Sequence, residues 1–306
     1  MNRRELIKSS TAAILLPQLP NLSKKDPPAA HFRFCLNTST IMGQKPGLIK
    51  SIEIAAAAGY DGVELWMMDI QDYLSKGGST ETLAKLLQTK KLKFENAISF
   101  TEWLVDDDTR RQKALVALEE EMKIVATIGG KRIAAPPAGL APGQVPELTK
   151  AGERYREILQ LGRKHGVMPL LEFWGASGSV DKLPVALAIA AEANDPDARI
   201  LPDVYHLFRG GSGFDGLRLL NGHAIDIIHA NDYPGGKPVG ELTDADRVYP
   251  GDGVAPYKKI LDNLRYIGGT KVLSLELFNA GYWKEDPLAV AKTGLAKMKK
   301  LVNNAQ

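Results

Sequence analysis

Short runs of apolar and β-branched residues alternate with longer helical patterns along this chain from residue 31 onward. This alternation is typical of β/α units, in which a helix after each strand returns the chain to form a parallel strand. The runs predicted to form strands are 32–37, 62–65, 93–99, 131–135, 168–173, 199–204, 225–230 and 272–277. Eight such units in roughly 250 residues predict a closed (β/α)8 barrel, also called a TIM barrel.

The helical stretches between these runs favour the same fold. The clearest of them cover 48–58, 110–128, 147–165, 182–193, 257–266 and 287–302, and several run into a glycine where a helix commonly ends. An open, doubly wound sheet is the alternative arrangement of such units. The chain lacks a Gly-x-Gly-x-x-Gly motif after its first strand and a P-loop lysine, the usual nucleotide-binding motifs of open sheets, so the closed barrel is favoured.

The first 30 residues differ from the rest of the chain. Arg3 and Arg4 precede a modest apolar stretch at 11–16 and then a proline-containing segment, which resembles a twin-arginine export signal. We therefore expect an export leader and linker at 1–30, a single barrel domain at 31–306 and a periplasmic location; a cytoplasmic protein with a frayed tail is the alternative. After the leader, nothing approaches the roughly 18 apolar residues that a membrane-spanning helix requires.

Composition limits the partners of the chain. Lysine and arginine total 39 against 36 acidic residues, and this formal charge of +3 is too slight and too evenly spread for a nucleic-acid surface. The single cysteine, Cys35, lies in an apolar run, which predicts a buried thiol rather than a nucleophile. A small-molecule partner is therefore expected, and a homo-oligomer is compatible with the sequence.

Ionisable residues close four of the predicted strands. These residues are Glu172, Asp203, His229 and Glu276, and each follows a run of apolar residues. Functional groups of a barrel collect at the C-terminal ends of its strands, where unpartnered charges are costly to bury. Three carboxylates and one imidazole therefore favour a divalent metal ion, with Mn²⁺ as the first choice and Mg²⁺, Co²⁺, Fe²⁺ or Zn²⁺ as alternatives. An ion-pair network, or four individually satisfied polar residues, is the competing interpretation.

The order and placement of several short motifs carry a family resemblance. From about residue 33 to 302 the chain resembles the xylose isomerase-like TIM barrels, the sugar phosphate isomerases and epimerases grouped with AP endonuclease family 2. The motifs are Gly59-Tyr60-Asp61-Gly62-Val63-Glu64-Leu65, Leu171-Glu172, Asp203-Val204-Tyr205-His206, His229-Ala230-Asn231-Asp232, Pro250-Gly251-Asp252-Gly253 and Leu275-Glu276. Each motif is short, and their order along the chain makes the match specific.

The resemblance implies one metal ion held by Glu172, Asp203, His229 and Glu276, with His206 beside it in contact with the substrate. A metal that chelates a carbonyl and the neighbouring hydroxyl stabilises the enediolate formed when the intervening C–H proton leaves. In the ketose 3-epimerases of this family two glutamates flank the sugar, which makes Glu172 and Glu276 the acid/base pair here. The expected function is a metal-dependent isomerase or epimerase of a ketose or keto-sugar.

Five further residues are candidates for substrate contacts. Glu64, Trp66 and Trp174 follow strand ends and are candidates for a wall that binds hydroxyls and stacks on the apolar faces of a sugar. Asn37 ends the first strand, and Arg247 lies in a long loop that is expected to close over substrate. The related epimerases carry an arginine shortly after the strand-seven histidine, whereas Arg247 comes much later in this chain, which puts simple ketose 3-epimerisation in doubt.

Two other functions compete with this expectation, and a third is disfavoured. The leader and the unusual loop favour a 3-keto-glycoside substrate, which would be epimerised or would lose its aglycone by β-elimination in extracytoplasmic carbohydrate breakdown. A non-catalytic, metal-assisted sugar-binding barrel is the second alternative. An endonuclease acting on abasic DNA is not expected, because within this family it would need a three-metal cluster built from many histidines, and this chain has five histidines and no basic stripe.

Overall fold

A computed structural model describes residues 31–305, and these form the predicted barrel. The eight strands pair in parallel in the order β6-β5-β4-β3-β2-β1-β8-β7. Their bounds are β1 His31–Asn37, β2 Gly62–Trp66, β3 Lys93–Ile98, β4 Arg132–Ala135, β5 Met168–Glu172, β6 Ile200–Leu201, β7 Ile227–Ala230 and β8 Thr270–Leu275. The predicted leader at 1–30 lies outside the described residues, so the leader and its boundary stay predictions.

The barrel closes between β6 and β7, the two ends of that strand order. Asp203 and His229 form a parallel bridge there, and the His229 amide donates to the carbonyl of Pro202 at 3.0 Å. Strand β6 is shorter than the predicted run 199–204 because Pro202 has no amide hydrogen and Asp203 already caps the next helix. The closing seam of the barrel thus fixes the backbone of two candidate metal ligands.

Helices cover the outside of the sheet. Their bounds are α1 Leu48–Ala58, α2 Met67–Ser75, α3 Thr80–Lys90, α4 Asp108–Ile128, α5 Leu148–His165, α6 Leu183–Glu192, α7 Val204–Arg209, α8 Tyr257–Ile267 and α9 Pro287–Asn304. Helices α1 and α4 end at Gly59 and Gly129, whose φ angles of 92° and 101° are left-handed and therefore favour glycine. Within residues 31–305, no helix has the length and apolar character needed to cross a bilayer.

Side chains inside the barrel form layers. One apolar layer contains Cys35, Ile98, Ala134, Leu170, Leu201, Ile227 and Val272. Successive side chains of a strand point to opposite faces, so the residue two positions after an inward-pointing one also points inward, nearer the C-terminal mouth. Leu170, Leu201 and Ile227 are therefore followed by inward-pointing Glu172, Asp203 and His229, while Val272 is followed by Ser274 and then Glu276.

Ion pairs fill the opposite, N-terminal end of the barrel. Arg33 contacts Glu95 at 2.8 Å, and Arg132 contacts Glu95 at 3.3 Å and Asp226 at 2.9 Å. Arg199 contacts the same Asp226 at 3.3 Å. We call these five residues the basal ion-pair ring.

Candidate active site

The four predicted strand-end residues converge at the C-terminal mouth, where three carboxylates surround the imidazole of His229. His229 Nδ1 lies 3.1 Å from Glu276 Oε2, 3.6 Å from Asp203 Oδ2 and 3.7 Å from Glu172 Oε1. One ligand atom each from Asp203, His229 and Glu276 lie within 4.8 Å of one another, a spacing compatible with a shared ion. Glu172 stands beside this group and also lines the cavity above it.

The nitrogen at the centre of this cluster tests whether the residues fit a metal. Among the described residues, His229 Nδ1 is buried and has no hydrogen-bond partner. The other ring nitrogen, Nε2, lies 3.2 Å from Glu64 Oε1. When Nε2–H donates to Glu64, the lone pair of Nδ1 faces three carboxylates, and a metal ion or a proton bound at Nδ1 stabilises this arrangement. The residues present therefore fit a divalent metal ion.

A proton on the imidazole of His229 would compete with a metal ion at this cluster. Burial alone lowers the pKa of His229, but the carboxylates of Glu276 and Glu64 outweigh burial and raise this pKa well above its usual value. Burial raises the pKa of Asp203, yet Arg247, His206 and His229 hold it well below its usual range. A metal ion that binds here must displace the imidazole proton, so metal affinity depends on pH.

Glu172 differs from Asp203 in its ionisation. Burial raises the pKa of Glu172 to about 8, with the charges of Glu276 and Asp203 adding to this effect and His229 opposing it. Its carboxyl group lines the cavity. A carboxyl that titrates near neutral pH at a cavity wall is suited to take up and release a proton.

Glu64 lies behind the imidazole rather than on the cavity wall. It is fully buried, and its oxygens accept hydrogen bonds from Asn96 at 2.6 Å, Ser274 at 2.6 Å and Asn37 at 2.9 Å. Burial raises the pKa of Glu64, but His229 and these donors lower it below its ordinary value. Glu64 thus fixes the ring orientation of His229, a position different from the expected hydroxyl-binding wall.

Asn37 links this buried layer to the cavity. Its amide Nδ2 donates to Glu64 and, at 3.0 Å, to Glu276 Oε1, while its Oδ1 accepts from the indole of Trp66 at 2.9 Å. The side chain is fully buried. Asn37 therefore positions a candidate ligand and a cavity-lining tryptophan, and in this structure it does not itself line the cavity.

Arg247 brings a permanent positive charge into the carboxylate cluster. Its Nη1 donates to Glu276 Oε2 at 2.7 Å and to Asp203 Oδ2 at 2.9 Å, and its Nη2 donates to Asp244. Burial lowers the pKa of Arg247, but Asp203, Asp244 and Glu276 outweigh burial and raise it further. The guanidinium therefore stays charged and offsets part of the negative charge at the mouth.

Backbone contacts hold the loop that carries Arg247. Asp232 and Val248 pair as an antiparallel bridge, and the buried Asp232 carboxylate accepts amide hydrogens from Gly251 and Ala255 at 2.9 Å. The Asn279 amide also donates to the backbone carbonyl of Arg247 at 3.0 Å. The long loop is thus fixed over the cluster.

His206 places an imidazole at the cavity wall. Its Nδ1 accepts from the Gly175 amide at 3.2 Å, and its Nε2 lies 3.2 Å from Arg247 Nη2. Burial lowers the pKa of His206 to about 4, so the ring is neutral at pH 7 and accepts at one nitrogen only. With Nδ1 accepting, Nε2–H faces another donor, and a ligand oxygen would satisfy both.

Aromatic side chains line the rest of the cavity, whose volume is about 430 Å³. The lining residues are Trp66, Ile98, Phe100, Glu172, Trp174, Ala176, Ser177, His206, Asp244, Arg247, Glu276 and Phe278. Trp66 and Trp174 are thus placed where the sequence predicted a stacking wall. Four residues of the site were not predicted from the sequence. Phe100 and Phe278 lie just beyond strand ends. Asn96 and Ser274 lie two residues from inward-pointing residues of their own strands, and this spacing is the sequence signal that could have identified them.

Comparisons with known proteins identify the family of this chain. The sequence profile described as "Xylose isomerase-like TIM barrel" matches residues 52–301. The chain is 29% identical over 269 residues to an inosose isomerase of Bacillus subtilis and 28% identical over 268 residues to that of Bacillus velezensis. Each alignment covers 85% of this chain and at least 94% of the relative.

Solved structures show the same fold. The IOLI protein, solved with a bound zinc atom, superimposes with a TM-score of 0.82 at 26% identity, over 90% of this chain and 99% of that one. L-ribulose 3-epimerase gives a TM-score of 0.70 at 16% identity, over 89% and 95% of the two chains, which supports the fold alone. The extent of the profile match, joined to the parallel eight-stranded sheet, means that this chain belongs to the xylose isomerase-like TIM barrel family.

Proposed function

We propose that this protein is a divalent-metal-dependent isomerase or epimerase that moves a proton next to the carbonyl of a keto-sugar. The observation that carries the proposal is the buried, unpartnered Nδ1 of His229, with three carboxylates within 3.7 Å among the described residues. The named relatives are inosose isomerases, so an inosose is the first substrate to test.

Asp203, His229, Glu276 and Glu172 would hold the metal. When bound, the ion would polarise the substrate carbonyl and stabilise negative charge that develops on its oxygen. The hard oxygen and nitrogen donors make Mn²⁺ the first choice, with the other divalent ions named above as alternatives. Carboxylate oxygens have lone pairs for both a cation and Arg247, so the guanidinium and the ion are compatible neighbours.

Two glutamates at the cavity wall would carry the proton. Glu172 lines the cavity, and burial raises the pKa of its carboxyl group to about 8 when no metal ion is bound; Glu276 is oriented by Asn37 and Arg247. They come from different strands, Glu172 from β5 and Glu276 from the position after β8, and would therefore approach a bound sugar from different sides. Removal of a proton by one glutamate and return by the other would invert the carbon between them.

His206 would orient the substrate. Its Nε2–H is left facing Arg247 Nη2, so both groups gain a partner when a hydroxyl or carbonyl oxygen enters between them. The neutral imidazole donates without altering the charge of the cluster. Arg247 then contacts both the candidate ligands and the substrate.

Exchange of substrate hydrogen for deuterium in D₂O tests the proposal. We expect the wild-type protein to exchange the C–H hydrogen next to the carbonyl of an inosose or a 3-keto-sugar, and we expect Glu172→Gln and Glu276→Gln to slow this exchange at least 100-fold. Glu121→Gln is a matched control because Glu121 is also buried but contacts Ser99 and Gln71 on the outside of the barrel. Metal content is measured in parallel by elemental analysis.

The same experiment separates the catalytic proposal from simple sugar binding. A non-catalytic barrel would bind sugar and leave its C–H hydrogens unexchanged. If both glutamine variants retained wild-type exchange and wild-type metal content, the assignment of these glutamates would be wrong.

A further inference from the structure

The mouth of the barrel has an ionic half and an aromatic half. The candidate ligands, His206 and Arg247 come from β5 to β8 and the adjoining loops, on the side of the closing seam. Four rings, which we call the aromatic arc, line the rest of the cavity: Trp66 at the end of β2, Phe100 after β3, and Trp174 and Phe278, which lie two residues beyond Glu172 and Glu276 along the chain. The proton-transfer chemistry uses only the ionic half.

The rings of the aromatic arc form a continuous surface. The centroid of Phe100 lies 5.3 Å from that of Trp66 and 6.0 Å from that of Trp174. Phe278 meets Trp66 edge-on at 6.0 Å and also lies 5.2 Å from the guanidinium of Arg247, which joins the arc to the ionic half. The arc therefore extends outward from the place where the carbonyl-bearing ring would bind.

Phe100, in the middle of the arc, is 47% exposed. An exposed phenylalanine held between two tryptophans at the edge of a cavity is unusual for a solvated surface and typical of a ligand-binding one. The segment at the end of the neighbouring strand β4, Ala135-Pro136-Pro137, carries no charged side chain. A ligand with an apolar face would cover this surface.

The size of the cavity and the charges that line it limit the class of ligand that it can bind. A cavity of about 430 Å³ is in the range of sites that enclose drug-sized molecules and exceeds what one six-carbon ring fills. Among the described residues that line it, the only lysine or arginine is Arg247, which already contacts Asp203, Glu276 and Asp244. A phosphoryl group on the aromatic side would therefore lack a cationic partner.

We infer that the aromatic arc binds a second ring, so that the substrate is a glycoside of a keto-sugar rather than a free monosaccharide. The identity of the first ring rests on the proposed function; the second-ring site rests on the arc itself. The second ring is a sugar with an apolar face or an aromatic aglycone, since both stack on indole and phenyl rings. In each case the keto-sugar carbonyl lies at the ionic half.

The test compares substrates that differ only in the second ring. Methyl and phenyl 3-keto-glucosides of the same anomeric configuration, and a 3-keto-disaccharide, are assayed for deuterium exchange and for binding by quenching of tryptophan fluorescence. We expect the phenyl glycoside or the disaccharide to bind about tenfold more tightly than the methyl glycoside. The two ligands also show whether the second ring is aromatic or a sugar.

Substitutions in the aromatic arc test whether the arc causes the preference for two-ring ligands. Phe100→Ala and Trp174→Ala should reduce the preference for the two-ring ligand by roughly tenfold. Tyr266→Ala is the matched control because Tyr266 is also a half-exposed aromatic residue, 53% exposed, but lies near the end of α8 beside Arg218. This control should leave the preference unchanged.

The outcomes separate the two proposals. Equal binding of the methyl and two-ring ligands, failure of the two-ring ligands to bind, or an unchanged preference in Phe100→Ala and Trp174→Ala would overturn the second-ring site. Two-ring preference without deuterium exchange would support the second-ring site and contradict the proposed isomerase chemistry. Exchange of an inosose without any two-ring preference would contradict the second-ring site alone.

Discussion

At the N-terminal end of the barrel, partly buried charges are paired with opposite charges; at the C-terminal end, buried carboxylates are in excess. The basal ion-pair ring sets three arginines against two acids, all within 3.3 Å of a partner. At the mouth, Glu64, Glu172, Asp203 and Glu276 face Arg247 and His229. The arginines of the ring are partly exposed, so water screens their surplus charge; the mouth cluster is buried, and its surplus negative charge favours a bound cation.

The largest expected effect comes from removing a charge at the mouth. Asp203→Asn keeps the helix-capping oxygen that accepts the His206 amide at 2.8 Å but removes a candidate metal ligand. We expect loss of bound metal and a fall in kcat of about 1,000-fold or more, since metal stabilisation of the transition state is worth several kcal/mol. Elemental analysis and steady-state kinetics check this, with circular dichroism to confirm folding. Full metal content in this variant would contradict the proposed ligand set.

The corresponding change at the other end should affect stability instead. Glu95→Gln breaks the contacts of a buried carboxylate with Arg33 and Arg132. The free energy of unfolding should fall by about 3 kcal/mol, the lower end of the cost for breaking a buried pair, because both arginines are partly exposed to water. Urea unfolding measures this. If the folded variant lost deuterium exchange, the separation of a structural end from a functional end would be wrong.

A smaller effect is expected behind the imidazole. Glu64→Gln leaves a side chain of the same shape but weakens the acceptor for His229 Nε2–H, so metal affinity should fall by about 10- to 100-fold. Ser274→Ala removes one donor to Glu64 and should have a weaker effect in the same direction. Competition with a metal-binding dye measures both affinities. Unchanged affinity in Glu64→Gln would mean that the ring of His229 is held by its backbone and packing alone.

The sequence predicted the fold and the four strand-end residues because both follow from periodicity. A barrel requires eight apolar runs, and an ionisable residue after such a run must lie at the mouth. The sequence did not predict how deep inside the barrel the side chain of Glu64 lies. Glu64 and Trp66 point to the same face, and Glu64 lies one layer deeper, behind His229; a register shift between β2 and β3 at Val63/Glu64 brings it opposite Asn96.

Loop geometry could not be predicted in the same way. Arg247 reaches the cluster because Asp232 folds the loop back through contacts with backbone amides. Such contacts do not follow a periodic sequence pattern, so the position of Arg247 in the site could not be predicted from them. The spacing from His229 to Arg247 showed only that this chain differs from the related epimerases. Phe100 and Phe278 lie in irregular segments and were missed for the same reason. The preference for Mn²⁺ and the exported location stay predictions.

The smallest expected effect is a pH dependence at the N-terminal end. Lys271, near the start of β8, donates to the carbonyls of Gly222 and Ile225 at 2.6 and 2.8 Å, and burial lowers its pKa to about 8. The ordinary lysine pKa is about 10.4, so the unfolded chain binds more protons than the folded chain between pH 8 and 10.4, and stability should rise with pH in that window. Below pH 8 the full cost of burying the charged amine is present.

Comparison with Lys271→Met isolates this effect from other groups that titrate at alkaline pH. The unfolding free energy of the wild type should gain about 1 kcal/mol relative to the variant between pH 7.5 and 10, a value reduced for partial solvent screening of the amine. Urea unfolding at several pH values measures the difference. If the difference in unfolding free energy between wild type and variant stayed constant over this pH range, the pKa of Lys271 would be the same in the folded and unfolded chain. The two carbonyls would then solvate the charged amine as well as water does.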